Sequence, residues 1–76
     1  MALNYYYNFA SIDLETKMCI EVFTDTRDVS GTEPDGELYV AIPVYNEEYL
    51  MKYYDVNTGK WYYDEEMTNE WMPPEA

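Results

Sequence analysis

The residues of this chain that favour extended backbone, Val, Ile, Tyr, Phe, Trp and Thr, stand in short runs that turn residues interrupt. A chain punctuated in this way folds into short strands joined by tight turns, so the sequence predicts a mainly β fold. Tyr5 to Ile12 is the first run, and Asp13-Leu14-Glu15-Thr16-Lys17 reads as its turn. Met18 to Thr24 then alternates, with Met18, Ile20 and Val22 on one face and Cys19, Glu21 and Phe23 on the other. These two runs predict a hairpin. The polar stretch Asp25 to Glu37 follows, with Gly31, Pro34 and the Asp35-Gly36 turn signal, and is the longest expected loop.

Leu38 to Val44 is the third run. Leu38, Val40, Ile42 and Val44 share one face, and Tyr39, Ala41 and Tyr45 the other; apolar character on both sides predicts a central, covered strand. Asn46-Glu47-Glu48 has the chemistry to cap one helical turn through Met51, because Asn accepts from unpaired amides and Glu complements the positive helix end. A second hairpin is expected where Lys52 to Asp55 and Lys60 to Asp64 flank Val56-Asn57-Thr58-Gly59. The predicted architecture is a small antiparallel sheet of about five short strands, two hairpins plus a central strand, with one helical turn.

The two hairpin loops share a pattern. Ile12-Asp13-Leu14-Glu15-Thr16-Lys17 and Tyr54-Asp55-Val56-Asn57-Thr58-Gly59 each run as aliphatic or aromatic, Asp, apolar, polar, Thr. In each, the Asp carboxylate can accept from amides ahead of it and set the turn. Lys17 stands where the second copy has Gly59, so the first loop must bear strain or differ in length.

With 76 residues the chain has room for one small domain, expected over 1–71, with Met72-Pro-Pro-Glu-Ala (72–76) as a tail over the surface. Ten tyrosines, two tryptophans and two phenylalanines supply contact area at low entropy cost, which argues against disorder. Core packing is the expectation for Trp61 and Trp71, whereas Tyr6, Tyr53, Tyr62 and Tyr63 cannot all face one core. Cys19 is the only cysteine, so no intramolecular disulfide forms and a reducing, cytoplasmic site of synthesis is expected. No apolar run approaches the length that spans a bilayer, so no membrane partner is expected.

Sixteen Asp and Glu against four Lys and Arg give a net charge of −12. Direct nucleic-acid binding needs clustered cations, and Lys17, Arg27, Lys52 and Lys60 stand apart among carboxylates. Such a surface points to a protein partner. With no histidine, no Ser–Lys constellation, no phosphate-cradling Gly-rich loop and no distinguishable carboxylate pair, the inventory names no catalytic residue, and a non-enzymatic role is expected. Asp55, Asn57 and Glu66 fall at positions 1, 3 and 12 of an EF-hand-like loop, but Gly59 and Lys60 occupy positions 5 and 6. The Trp61-Tyr62-Tyr63 run favours a strand, so an Asp-stabilised hairpin is expected there, with no metal and no cofactor. Two protein-binding surfaces are candidates: the carboxylates Asp25, Asp28, Glu33, Asp35 and Glu37 of the long loop with Asp64, Glu65, Glu66 and Glu70, and the tyrosines Tyr53, Tyr62 and Tyr63.

Asp13-x-x-Thr16 with Cys19, Val40-x-Ile42-Pro43-x-Tyr45-Asn46-Glu47-x-Tyr49-x-x-Lys52-Tyr53-Tyr54, and Gly59-Lys60-Trp61-Tyr62 with Trp71-x-Pro73 resemble small acidic proteins encoded near the tail and host-recognition genes of phages and prophages of gut Firmicutes. The resemblance implies a phage origin and a non-catalytic role, with synthesis in the host bacterial cytoplasm or a place in the virion. Two functions follow. The first is a tail-region or virion accessory protein that binds another phage protein and is capable of forming homo-oligomers. The second is an acidic nucleic-acid mimic that inhibits a host nucleic-acid-binding defence protein, as an anti-CRISPR factor does.

Overall fold

A computed structural model describes residues 6–74. Tyr5 of the first predicted run and Glu75 and Ala76 of the expected tail lie outside the described residues. Six strands form: β1 Tyr7–Asp13, β2 Cys19–Asp25, β3 Glu37–Ile42, β4 Tyr53–Tyr54, β5 Trp61–Tyr62 and β6 Glu70–Trp71, with a 3-10 turn at Glu47–Tyr49. They make two antiparallel three-stranded sheets, ordered β2-β1-β3 and β4-β5-β6. The mainly β expectation therefore holds, but as two sheets where one was expected and with six strands among the described residues where about five were expected. The extra strand, β6, is a two-residue element with no run of strand formers to announce it.

The central strand is β1, not the Leu38–Val44 run. Phe9, Ala10, Ser11 and Ile12 are all buried, so β1 is covered on both faces, while β3 lies at an edge. β3 looks two-sided in sequence because its faces serve different clusters. Leu38, Val40 and Ile42 turn to the main core, and Tyr39 turns the other way, within 6.1 Å of Phe9 and 5.0 Å of Phe23 between ring centroids. The predicted alternation of β2 also breaks. Ser11 pairs with Glu21 but Ile12 pairs with Cys19, leaving Ile20 as a bulge residue. The bulge puts the buried Cys19 in the core beside Val22, on the face opposite Glu21 and Phe23.

Both Asp-led turns are built alike. Asp13 Oδ1 accepts from Glu15 N at 2.9 Å and Asp55 Oδ1 from Asn57 N at 2.9 Å. Lys17 N donates to Asp13 O (2.6 Å) as Gly59 N does to Asp55 O (2.8 Å), and Asp13 N donates to Met18 O as Asp55 N does to Lys60 O, both at 2.9 Å. Thr16 and Thr58 hydroxyls accept from Met18 N and Lys60 N. The loops have one length, and Lys17 takes a φ of 70° where Gly59 takes 75°. Of the two alternatives, strain is the one realised.

The loop after β2 must travel from the Tyr7 end of the sheet to the Asp13 end and from one side of β1 to the other. The second sheet occupies one face, so the loop crosses the opposite one: Asp28 and Ser30 line a cleft with Tyr7, Phe9 and Ala41. That crossing, with Phe23 stacked at 5.4 Å, leaves Phe9 only 2% exposed.

The second sheet is held to β2 by backbone. Cys19 N donates to Lys52 O (2.8 Å), Met51 N to Cys19 O (2.9 Å) and Tyr54 N to Lys17 O (2.9 Å). The 3-10 turn that delivers this segment is capped as expected, with Asn46 Oδ1 accepting from Glu48 N at 2.8 Å. Tyr54, Trp61 and Trp71 lie opposite one another on the inner face. With Tyr49 they pack on Ala10, Ile12, Cys19 and Ile42 to make the shared core. Tyr49 sits edge-on to both indoles, at 4.9 Å from Trp61 and 5.0 Å from Trp71.

Candidate functional site

Most of the acidic residues of the long loop accept hydrogen bonds from their own chain. Asp25 Oδ1 accepts from Arg27 N at 2.9 Å and stands 3.7 Å from Arg27 Nε. Asp28 accepts from the Ser30 hydroxyl (2.6 Å) and amide (3.0 Å), and these bonds hold its carboxyl below the usual carboxylate range. Glu33 reaches across to accept from Tyr39 N at 3.0 Å, which lowers its pKa. Glu37 accepts from the buried Ser11 hydroxyl at 2.7 Å. Asp35 lies exposed in the turn before Gly36. In the second group, Asp64 accepts from the Thr68 hydroxyl and from Thr68 and Asn69 amides, and it too is held low. Glu65, Glu66 and Glu70 are exposed. The first group flanks and joins strands of the first sheet, and the second lies in and before β6 of the second sheet.

The tyrosines come together more closely. Tyr53 pairs with Tyr62, and Tyr62 with Glu70, so these three share the outer face of the second sheet. Tyr63, next in the chain, is 59% exposed. Lys52 Nζ lies 5.4 Å from its ring centroid and 4.8 Å from that of Trp71, tying this corner down through cation–π contacts. Among the described residues no ring stacks on Tyr53 or Tyr62.

Sequence reasoning missed the cluster on the outer face of the first sheet. Phe9, Phe23 and Tyr39 lie there with Glu21 and Glu37, and the Tyr39 hydroxyl is pushed up by its partial loss of water and by Glu37, Glu21 and Glu33 nearby. Its signal was the alternation of Glu21-x-Phe23 against Glu37-x-Tyr39, readable only once the two strands are known to flank β1.

Strand edges are the third kind of surface. In an antiparallel pair successive residues alternate between bonding inward and pointing outward. Glu37 N donates outward to Pro34 O (3.1 Å) and Tyr39 N outward to Glu33, so the loop itself closes most of the free edge of β3. The same alternation carried across β1 turns the backbone groups of Val22 and Thr24 outward on β2. Beyond Cys19, no described backbone group pairs with that edge.

Burial raises the Cys19 thiol to about 11. A thiol so protonated, with its Sγ donating to Glu21 O at 3.4 Å, is a core group and a poor nucleophile. Among the described residues no three His, Cys, Asp or Glu are grouped to hold a metal ion, and every buried side-chain nitrogen or oxygen has a hydrogen-bond partner. A groove of about 350 Å³ between the end of β3 and the second sheet is lined by Pro43, Tyr49, Trp61, Trp71 and Pro73, with Lys60 and Glu70 among its polar walls. Compared with models of known protein families, with curated proteins and with solved structures, the chain matches none.

Proposed function

We propose that this chain is a non-enzymatic protein-binding module that serves as an accessory component of a phage tail region or virion. The observation that carries the reading is the outer face of the second sheet, where Tyr53 and Tyr62 lie side by side and end on Glu70. Tyrosine-rich patches with a polar rim bury large area at low entropy cost and are enriched where proteins meet. Asp25, Asp28, Glu33, Glu37 and Asp64 accept hydrogen bonds from their own chain, so these carboxylates have a structural use beside their charge.

The test is an affinity capture of the tagged protein from phage-infected cells and from uninfected host lysate, eluted at low and high salt. The reading expects a phage tail component retained at high salt, and loss of that component when Tyr53 and Tyr62 are both changed to Ala. Capture of a host nucleic-acid enzyme that is lost at high salt or on adding DNA would replace it with the mimic function.

A further inference from the structure

We propose that the outer edge of β2, from Ile20 to Asp25, accepts an extended basic segment of a protein partner as a fourth strand of the first sheet. This deepens the protein-binding reading and rests on it.

The edge is already used as a template by the chain itself. Residues 51–54 bond to it at Lys17 and Cys19, with Met18 bridging antiparallel to Tyr53. Followed back toward Glu47, the segment leaves the edge into the 3-10 turn, so the ladder stops just where β2 continues. The backbone groups of Val22 and Thr24 point outward beyond that stop. β3 differs, because Pro34 O and the Glu33 carboxylate cover two of its outward amides, those of Glu37 and Tyr39. Proteins shield edges that must not pair, and here the shielding was applied to one edge of the sheet only.

Side chains on β2 define the occupant. Glu21, Phe23 and Asp25 alternate along one face, so a strand laid beside them meets acid, aromatic, acid. Among the described residues the only salt bridge here is that of Arg27 with Asp25, and Glu21 has none. At the mouth of the edge Ile20 is 46% and Met51 71% exposed, apolar ground for a non-polar residue of the incoming strand. The matching segment is extended and carries a basic residue, any residue, an apolar residue, any residue and a basic residue. A second copy of this chain does not match. Self-pairing with Val22 opposite Thr24 places Phe23 on Phe23 but sets Glu21 opposite Asp25 twice, between chains that each carry a net charge of −12.

The probe is a synthetic peptide, Lys-Thr-Arg-Val-Phe-Val-Arg-Thr-Lys, titrated into the full chain while amide exchange is followed by NMR. Free, Val22 and Thr24 amides exchange fast while those of Glu21 and Phe23 are protected. With peptide bound, protection at Val22 and Thr24 rises by about tenfold or more, and Ala41 on the β3 edge does not change. A peptide with both arginines replaced by Glu gives no protection. Thr24→Pro removes an outward amide that the ladder does not use, so the fold survives, as its amide spectrum will show, and peptide affinity falls by about tenfold or more. Glu21→Lys, an exposed change, weakens binding in a second way. Unchanged exchange at Val22 and Thr24 at saturating peptide overturns the proposal, as does wild-type affinity in Thr24→Pro. A tail component still captured by Thr24→Pro sinks this edge while leaving the protein-binding role intact; capture of no protein by the wild-type chain sinks that role itself.

Discussion

The loop joining β1 to β2 and the loop joining β4 to β5 close with matching hydrogen bonds, yet the first holds Lys17 and the second Gly59 in the left-handed region, at φ of 70° and 75°. What stands behind them differs as well. The first turn caps a ladder of two seven-residue strands, the second a ladder of two-residue strands. Asp-x-x-Thr chemistry therefore sets the shape of a turn without fixing which residue takes its left-handed position. A left-handed lysine costs about 1–2 kcal/mol, which the fold carries at Lys17 as it carries the left-handed Met67 between the two-residue strands β5 and β6. Lys17 also recovers something locally, since its ammonium donates to Leu14 O at 2.8 Å.

The strongest way to break the comparison is to remove what supports the short hairpin. Trp61→Ala empties a buried site packed against Tyr49, Tyr54 and Trp71 and should lower stability by about 3–5 kcal/mol. Thermal unfolding followed by circular dichroism measures it, and a loss below about 1 kcal/mol would mean the second sheet stands without its core. Next, Asp13→Ala and Asp55→Ala each remove the carboxylate acceptor of one turn and should each cost about 1 kcal/mol in urea unfolding. Unequal losses would show that the two turns are alike in geometry but not in energy. Exchanging the left-handed residues sharpens the contrast further: Gly59→Lys should destabilise by about 1 kcal/mol, and Lys17→Gly should stabilise by less, because glycine also loosens the unfolded chain. A neutral Gly59→Lys would show that the short hairpin bears strain as readily as the long one.

The smallest effects are pH-dependent. Asp28 and Glu33 on the first sheet's loop and Asp64 after β5 have folded pKa values below their usual ones, so their contribution is present above about pH 4 and is lost as pH falls through the lower folded values. Protection factors of the amides of Ser30, Tyr39 and Asn69, taken against the intrinsic exchange rate at each pH, should therefore fall together in acid. At the alkaline end the sign reverses: the Cys19 thiol is raised from 9.0 to about 11, so its contribution is whole below pH 9 and fades between the two values. A native thiol that reacts freely with a disulfide reagent at pH 8 would contradict the burial behind that shift.

Local chemistry was legible in the sequence. Both Asp-led turns, the Asn46 cap and the core position of Trp61 and Trp71 each depend on residues within a few positions or on a strong apolar preference. Long-range facts were not. That β1 is central follows from β3 returning to its free side after the long loop, which no alternation within Leu38–Val44 encodes. The bulge at Ile20 reverses the face of Cys19 and depends on pairing with β1. Among the candidate site residues, Tyr53 and Tyr62 share a face because of pairing across a turn that was readable. Glu33 reads as a loop charge and turns out to cover a strand edge six residues away.

Both tryptophans of the chain sit in one cluster, Trp61 and Trp71 lying 6.2 Å apart at nearly right angles. Indole emission from this protein is therefore a one-sided spectroscopic reporter. It registers the joining of the two sheets and is blind to the Phe9 face, where a partner strand on β2 would leave its mark in tyrosine signals instead.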